Sequence, residues 1–379
     1  MTNRETIPLF KVYMSEGVDQ PLLETLHSGF VGEGPRVLEF EESLKAKLQT
    51  QNVLTTNSGT SALHLAYHLA LNQENPKDYQ DHSQDCIITT PMTCAATNEP
   101  IIQNGCRIKW ADVDPNTGNI TLDSIKRVFN PKEDVAISVV HWGGNPCDMK
   151  KIANFAKQNN LKLIEDGAHS LGMIYDGKPF GYYSDYAVHS FQAIKHITSV
   201  DGGCLICKSD ADYERAKLLR WYGIDRTNVE GADLRCEQDI KEVGYKFHMN
   251  DVCAVIGNEN LKHLDEIIAA QRANAQFYNE AFRSRVRVAT ENPNGQSSYW
   301  LYTIHADNRD ELMDKLKEKG IMCSKVHSRN DLHTAFVEYK TRLSGVESFN
   351  NTHLCIPVGW WLTESDREYI ADQVIKYIR

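Results

Sequence analysis

Nowhere in the 379 residues is there an apolar run approaching the ~18 residues of a membrane span, a low-complexity tract or a block of like charge. The opening MTNRETIPLF lacks the basic-then-apolar order of a secretory signal, so a cytoplasmic protein is expected. Basic charge is in deficit: 41 Lys and Arg against 51 Asp and Glu leave a formal net charge of −10. That balance opposes binding to a phosphate backbone, and no local basic stripe offsets it, which sets nucleic-acid roles aside. Both the P-loop and the dinucleotide glycine spacing are missing, as are internal repeats and any His, Cys and acid cluster at metal-ligand spacing. Ten cysteines are scattered along a chain without an export signal, so free thiols are expected rather than a disulfide framework. The pair in CLIC, Cys204 and Cys207, sits in an apolar run that reads as a strand, where residues three apart point to opposite faces.

What is present is alternation. From about residue 50 to 210, short β-branched or apolar runs (NVLTTN, DCIITTP, RIKWADV, VAISVVHW, LKLIED, YAVHSF, GCLICK) are separated by helical patterns such as TSALHLAYHLAL, LDSIKRVF and DMKKIANFAKQ, the last with Asp148 as its expected N-cap. This is the pattern of βα units on a doubly wound, mostly parallel sheet. Residues 251–285 carry apolar positions at helical spacing and read as one long connecting helix, bent near Gly257. Beyond it, SSYWLYTIHA, DELMDKLKEKGI, MCSKVHS and TESDREYIADQVIKYI mix strand and helix. The expected division is a large α/β domain over 1–250, whose N-terminal segment packs on the smaller unit, and an α+β C-terminal domain over 251–379.

Three stretches carry chemistry. In TTNSGTSALHLA a strand runs through Ser58-Gly59-Thr60-Ser61 into a helix, offering hydroxyls, free N–H groups and a positive helix end to a phosphate; taken alone, it reads first as an ordinary N-cap. In LKLIEDGAHSLG a strand ends in Glu165-Asp166 with His169 close behind, at the sheet edge where α/β ligands sit; a turn-forming Asp reads the same way. In HSFQAIKHITSVDGG, Lys195 stands between Ser190 and a glycine pair, where burial would make it a Schiff-base nucleophile, though most lysines are surface charges. Their combination is more specific than any member. A phosphate cradle, an acid beside a pyridine nitrogen and a later lysine are what pyridoxal phosphate requires.

With these residues in place the chain resembles the sugar aminotransferases of the DegT/DnrJ/EryC1/StrS type, fold-type I pyridoxal-phosphate enzymes of the aspartate aminotransferase superfamily. The likeness runs through EFEESL, TNSGTSALHLA, DVDPNTGNI, VVHWGGNPCDM, IEDGAHSLG, SFQAIKHITSVDGG, GYKFHMNDVCAVIG and IPVGWWLTESD, in order over nearly the whole chain. It implies that Lys195 holds the cofactor and Asp166 pairs with the pyridine nitrogen. His169 would stand against the ring oxygen, and Thr60, Ser61 and Ser190 would contact the phosphate. His327 matches a histidine near the substrate. GYKFHMND matches a segment that reaches a partner subunit's site, which implies a homodimer with shared sites. Lys246 stands there where many relatives have Asn, and its ammonium would face cofactor or nucleotide phosphate. Cys94 stands where many relatives carry an aromatic over the ring. Arg226, in RWYGIDR, is a candidate for a substrate diphosphate, with a structural ion pair as the alternative.

The resemblance implies an aminotransferase that converts a nucleotide-linked 4-keto-6-deoxy sugar to its 4-amino form with L-glutamate as donor, through pyridoxamine phosphate as the intermediate cofactor form. It serves amino-sugar and polysaccharide biosynthesis, without nucleic-acid or membrane partners. The alternatives are amination at carbon 3, a keto-sugar 3-dehydratase, and a regulator that binds the cofactor without turnover. The dehydratase branch replaces the lysine with histidine, and the regulator tolerates loss of Lys195 or Asp166; both residues are present.

Overall fold

The seven apolar runs form seven strands of one sheet: β1 (Val53–Thr56), β2 (Cys86–Thr89), β3 (Arg107–Trp110), β4 (Asp134–Val140), β5 (Lys162–Asp166), β6 (Tyr186–Ser190) and β7 (Gly203–Cys207). The structure is a computed structural model, and it describes residues 5–71, 81–225 and 239–379. Sheet order is β1-β7-β6-β5-β4-β2-β3. Neighbours from β6 through β3 pair in parallel, whereas β7 runs antiparallel to both β6 and β1. Nearly every residue of these strands is buried, as a sheet covered on both faces demands.

Helices α1 (Asp19–His27), α2 (Pro35–Leu48), α3 (Gly59–Leu71), α4 (Ala95–Gln103), α5 (Leu122–Val128), α6 (Met149–Gln158) and α7 (Asp210–Arg220) accompany the sheet. α3 is apolar almost all round because it is enclosed: it packs on β7 and β6 and is flanked by α4 and α7. Cys204 and Cys207 lie in two different core clusters, on opposite faces of β7, and every described cysteine is a free thiol. Asp148 does stand at the N-cap of α6, but its carboxylate makes no cap bond; it accepts from the Tyr175 hydroxyl at 2.5 Å and pairs with Lys151 at 2.5 Å.

The expected single helix over 251–285 is two, α8 (Asp251–Leu261) and α9 (Leu264–Phe282). The break falls at 262–263 rather than at Gly257. Asn260, fully buried, is turned outward from the helix ladder: its amide donates to Thr198 O and its oxygen accepts Ser15 N–H, so the chain is pinned just before the break. Gly257 instead lies within α8, where a Cβ would come 2.7 Å from the Phe40 ring.

After α9 come β8 (Arg287–Val288), β9 (Tyr302–His305) and β10 (His353–Ile356), an antiparallel sheet in the order β8-β9-β10. It shares a core with α10 (Arg309–Glu318), α12 (Glu364–Tyr377) and the second half of α9, built from residues such as Tyr278, Phe282, Leu316 and Ile370. α11 (Ser344–Thr352) leads into β10. Ile7 joins this core through a parallel bridge to Ile321. No described helix is long and apolar enough to cross a membrane.

Candidate active site

A cleft of about 510 Å³ opens at the carboxyl ends of the parallel strands, between the large sheet and the segments that flank β9 and follow α10. Thr60, Asp166, His169, Ser190, Lys195 and His327 all line it. Residues as far apart in sequence as Lys195 and His327, 132 positions, meet there because β5 and β6 are adjacent strands and the C-terminal unit closes over their ends.

One end is a cradle. β1 stops at Thr56, and α3 begins three residues later with its N-terminus facing the cleft. Ser58 caps it, accepting the Ser61 N–H at 3.1 Å and lying 2.9 Å from the Ser61 hydroxyl. Ser190, the last residue of β6, pairs in register with Gly203. These three pieces are pressed together so closely that a Cβ on Gly59 would sit 2.9 Å from Ser190 Cβ, and one on Gly203 would sit 2.5 Å from Gly59 N. The glycines let a helix end and two strand ends converge on one anion-sized space.

The other end is built on β5. Asp166 is almost fully buried; its Oδ1 accepts the Ala168 N–H at 2.9 Å and its Oδ2 accepts the Thr97 hydroxyl at 2.7 Å. The single Thr97 proton is thereby used, so Thr93, 3.0 Å from Thr97 Oγ1, donates to it, giving an ordered pair of hydroxyls behind the carboxylate. Burial pushes the Asp166 carboxyl up, while Ala168, Thr97 and the Lys195 charge pull it back.

Lys195 sits on a loop tied down at both sides. Phe191 and Ile197 are fully buried, Ser199 N–H donates to Phe191 O, and Phe191 N–H donates to Gly202 O. Burial lowers the ammonium to about 8, against the opposing fields of Asp166 and Cys94. His169, buried, stacks on Trp300 with centroids 4.0 Å apart and lies with its Nε2 3.3 Å from His327 Nε2. Burial holds His169 well below its ordinary value and takes His196 and His327 to about 3, so all three rings are neutral. Two strained valines flank the site: Val200 (φ 71°) closes the lysine loop and Val326 (φ 65°) lines the cleft beside His327. A β-branched residue in that region is rare and collects at functional loops.

The donor set fits pyridoxal phosphate. His169 Nδ1 is buried without a partner, the cradle offers hydroxyls and a helix end to which no carboxylate of the described residues is bound, and a buried acid and a half-buried amine stand at the far side. Of the remaining candidates, Lys246 is exposed and does not line the cleft; its carbonyl accepts from the Asn57 side chain at 3.3 Å, close to the cradle. Arg226 lies outside the described residues. Its neighbour Arg220 is structural, joining Glu41, Glu33 and Thr55 O inside the protein. His141 is likewise internal: the Cys147 N–H donates to its Nδ1, so its proton is on Nε2 and goes to Glu165 at 2.9 Å.

Thr97 and Trp300 were not singled out by sequence reasoning. Thr97 stands in TPMTCAATN, on the helix start next to Cys94, where a hydroxyl one turn into a helix beside a strand-end acid was a usable signal. Trp300 gave none, because SSYWLYTIHA reads as strand, and only its second half is one.

The sequence pattern of the DegT/DnrJ/EryC1/StrS aminotransferase family matches residues 13–375. Among solved structures, AtS13 from Actinomadura melliaura is 39% identical with a TM-score of 0.92, covering 99% of each chain. The sugar aminotransferase CalS13 from Micromonospora echinospora is 34% identical with a TM-score of 0.91, over 98% of this chain and 100% of that one. Among curated proteins, the UDP-4-amino-4,6-dideoxy-N-acetyl-beta-L-altrosamine transaminase of Campylobacter jejuni serotype O:2 is 29% identical over 382 aligned positions, 97% of each chain.

Proposed function

The chain belongs to the DegT/DnrJ/EryC1/StrS aminotransferase family and is a pyridoxal-phosphate-dependent transaminase, and on that premise we propose that it aminates carbon 4 of a nucleotide-linked 4-keto-6-deoxy sugar with L-glutamate as donor. The single observation that carries the reading is the pairing, across one cleft, of a buried acid with a half-buried lysine opposite a hydroxyl-lined helix end. The choice of carbon 4 and of a nucleotide sugar is supported by the Campylobacter relative's name.

The roles follow from the geometry. Ser58, Thr60 and Ser190, which line the cradle, would bind the phosphate, with Ser61 bonded to Ser58 behind them. Asp166, its carboxylate aimed by Thr97 and Ala168, holds a proton at the pyridine nitrogen, and His169 Nδ1 serves the ring oxygen. When bound, the cofactor supplies an electron sink for a carbanion next to nitrogen. Lys195 Nζ is the covalent anchor and then, once free, takes a proton from the donor carbon and delivers one to the acceptor; with its basicity lowered to about 8 it can do both near neutral pH. His327 orients the sugar. The working form is a homodimer in the cytoplasm, with Lys246 facing phosphate across the shared site; Arg226, outside the described residues, stays a candidate for the substrate diphosphate. Exposure of Lys246, and of Leu23, Leu26, Phe30 and Val31 on and beside α1, supports such a covered face.

Purified protein with pyridoxal phosphate is expected to develop a chromophore that L-glutamate bleaches and a nucleotide keto sugar restores, the product identified by mass across a panel of UDP, dTDP and GDP sugars. Bleaching by glutamate with restoration only by 3-keto sugars would shift the reading to carbon 3; a chromophore that no donor bleaches would favour a cofactor-binding regulator.

A further inference from the structure

The Lys195 side chain lies in a cleft with charged or titratable groups on every side: Asp166 at the end of β5, Cys94 at the head of α4, His169, His196, Asp201, and His327 from the C-terminal unit. None of the described carboxylates forms a direct ion pair with its Nζ. Its Nζ lies over the face of Trp300, whose ring centroid is 3.9 Å away. Trp300 is itself 4% exposed and fixed from three sides. Its indole N–H donates to Ile194 O at 2.9 Å, the residue next to the lysine; Phe10 stacks on it at 5.1 Å and 22°; and His169 stacks on it at 4.0 Å and 19°.

We infer that Trp300 is a positioning residue for Lys195: its ring face holds the free ammonium in place and keeps it protonated, while its N–H tethers the lysine loop. A half-buried ammonium with no contacting counter-charge is driven toward the neutral amine, and an aromatic face is the group that offsets this without competing for the proton. Because the ring also stacks on His169, the lysine and the group facing the cofactor's ring oxygen are held to one common plate. Phe10 brings the N-terminal segment into the same stack, so four stretches far apart in sequence fix one amine.

This rests on the reading of Lys195 as the cofactor lysine, and the test separates the two. Cofactor-free protein is mixed with pyridoxal phosphate over a range of pH, the rate of chromophore formation is followed, and borohydride reduction with peptide mass mapping locates the adduct. Only the neutral amine attacks, so the midpoint of the rate against pH reports the lysine. The unaltered chain is expected to show a midpoint near 8 with the adduct on Lys195. Removing the ring face destabilises the ammonium, so in Trp300→Leu the midpoint is expected to fall by about 0.5 to 1.5 units. Trp300→Phe, which keeps a ring face but loses the tether, is expected to fall less. A merely structural tryptophan would change the melting temperature and the rate at all pH values alike, leaving the midpoint in place. Midpoints in both variants that stay at or rise above that of the unaltered chain overturn the inference. If the leucine variant does not fold, the phenylalanine midpoint decides alone. No adduct on Lys195 in the unaltered chain overturns the cofactor reading and this inference together.

Discussion

The two ends of the cleft are made in opposite ways. The cradle is local: Ser58, Thr60 and Ser61 at one strand-helix junction, closed by Ser190 and the glycines Gly59 and Gly203, all of it backbone and hydroxyl. The end around Asp166 and Lys195 is remote: threonines in and just before α4, histidines from three segments and a tryptophan ahead of β9 surround the acid and the amine, nearly all of them buried. A phosphate carries its charge in every state and needs only donors, which a helix end supplies from sequence neighbours. Proton chemistry needs basicities shifted from their solution values, which requires a dry wall, and a dry wall has to be gathered from the whole chain. The two ends are therefore expected to fail differently when altered.

The largest difference is expected at Asp166. Asp166→Asn keeps the shape and loses the charge at the pyridine nitrogen, so kcat is expected to fall about a hundredfold or more while cofactor affinity, measured by dialysis and absorbance, changes little. Thr97→Val leaves Oδ2 without its hydroxyl donor and removes Thr93's acceptor; a tenfold to hundredfold fall in kcat, about 1.5–3 kcal/mol, is expected from losing a hydrogen bond to a charged group. At the cradle the split reverses. Ser190→Ala is expected to weaken cofactor binding by about tenfold to a hundredfold and to leave kcat at saturating cofactor almost unchanged. Loss of affinity at Asp166, or of saturated kcat at Ser190, would break the contrast.

The same contrast explains what could be read from the sequence. Six of the seven strands fall within the apolar runs read from the sequence and β4 starts one residue before its run, because a strand covered on both faces needs an uninterrupted run and the βα alternation supplies its direction. Ser58 to Thr60, Asp166 and Lys195 line the cleft, and their place there is legible because each stands at or a few residues past the end of such a run, at the carboxyl edge of the sheet. The break between α8 and α9 was not. Apolar spacing continues through it, and what interrupts the helix is Asn260 reaching to Ser15 and Thr198, partners 245 and 62 residues away. Trp300 was missed for the same kind of reason: its role comes from Phe10, His169 and Lys195, none of them its sequence neighbour. Local sequence carries the anion site, and tertiary assembly carries the acid-base site.

The smallest effect expected is on stability, and it also divides the two ends. His196 is 3% exposed, its Nε2–H donates to Ser298 O at 3.1 Å and its Nδ1 has no partner, so protonating it would bury an unpaired charge. Burial holds it at about 3 in the folded protein, whereas an unfolded chain's histidine takes up its proton near 6.5. The unfolded state therefore binds the extra proton between those values. Folding stability is complete above about 6.5 and declines as pH falls toward 3, by about 1.4 kcal/mol per pH unit for each such histidine. His196→Gln, whose amide N–H has the reach to replace Nε2–H, removes one titrating group and keeps the bond to Ser298. Thermal melts of cofactor-free protein from neutral pH down to about pH 5 are expected to show a shallower acid decline in His196→Gln than in the unaltered chain. Ser190→Ala removes no titrating group from the cradle, so its acid decline should run parallel to that of the unaltered chain. An unchanged slope in His196→Gln would mean that this ring already gains its proton in the folded state and that water reaches the wall behind Lys195.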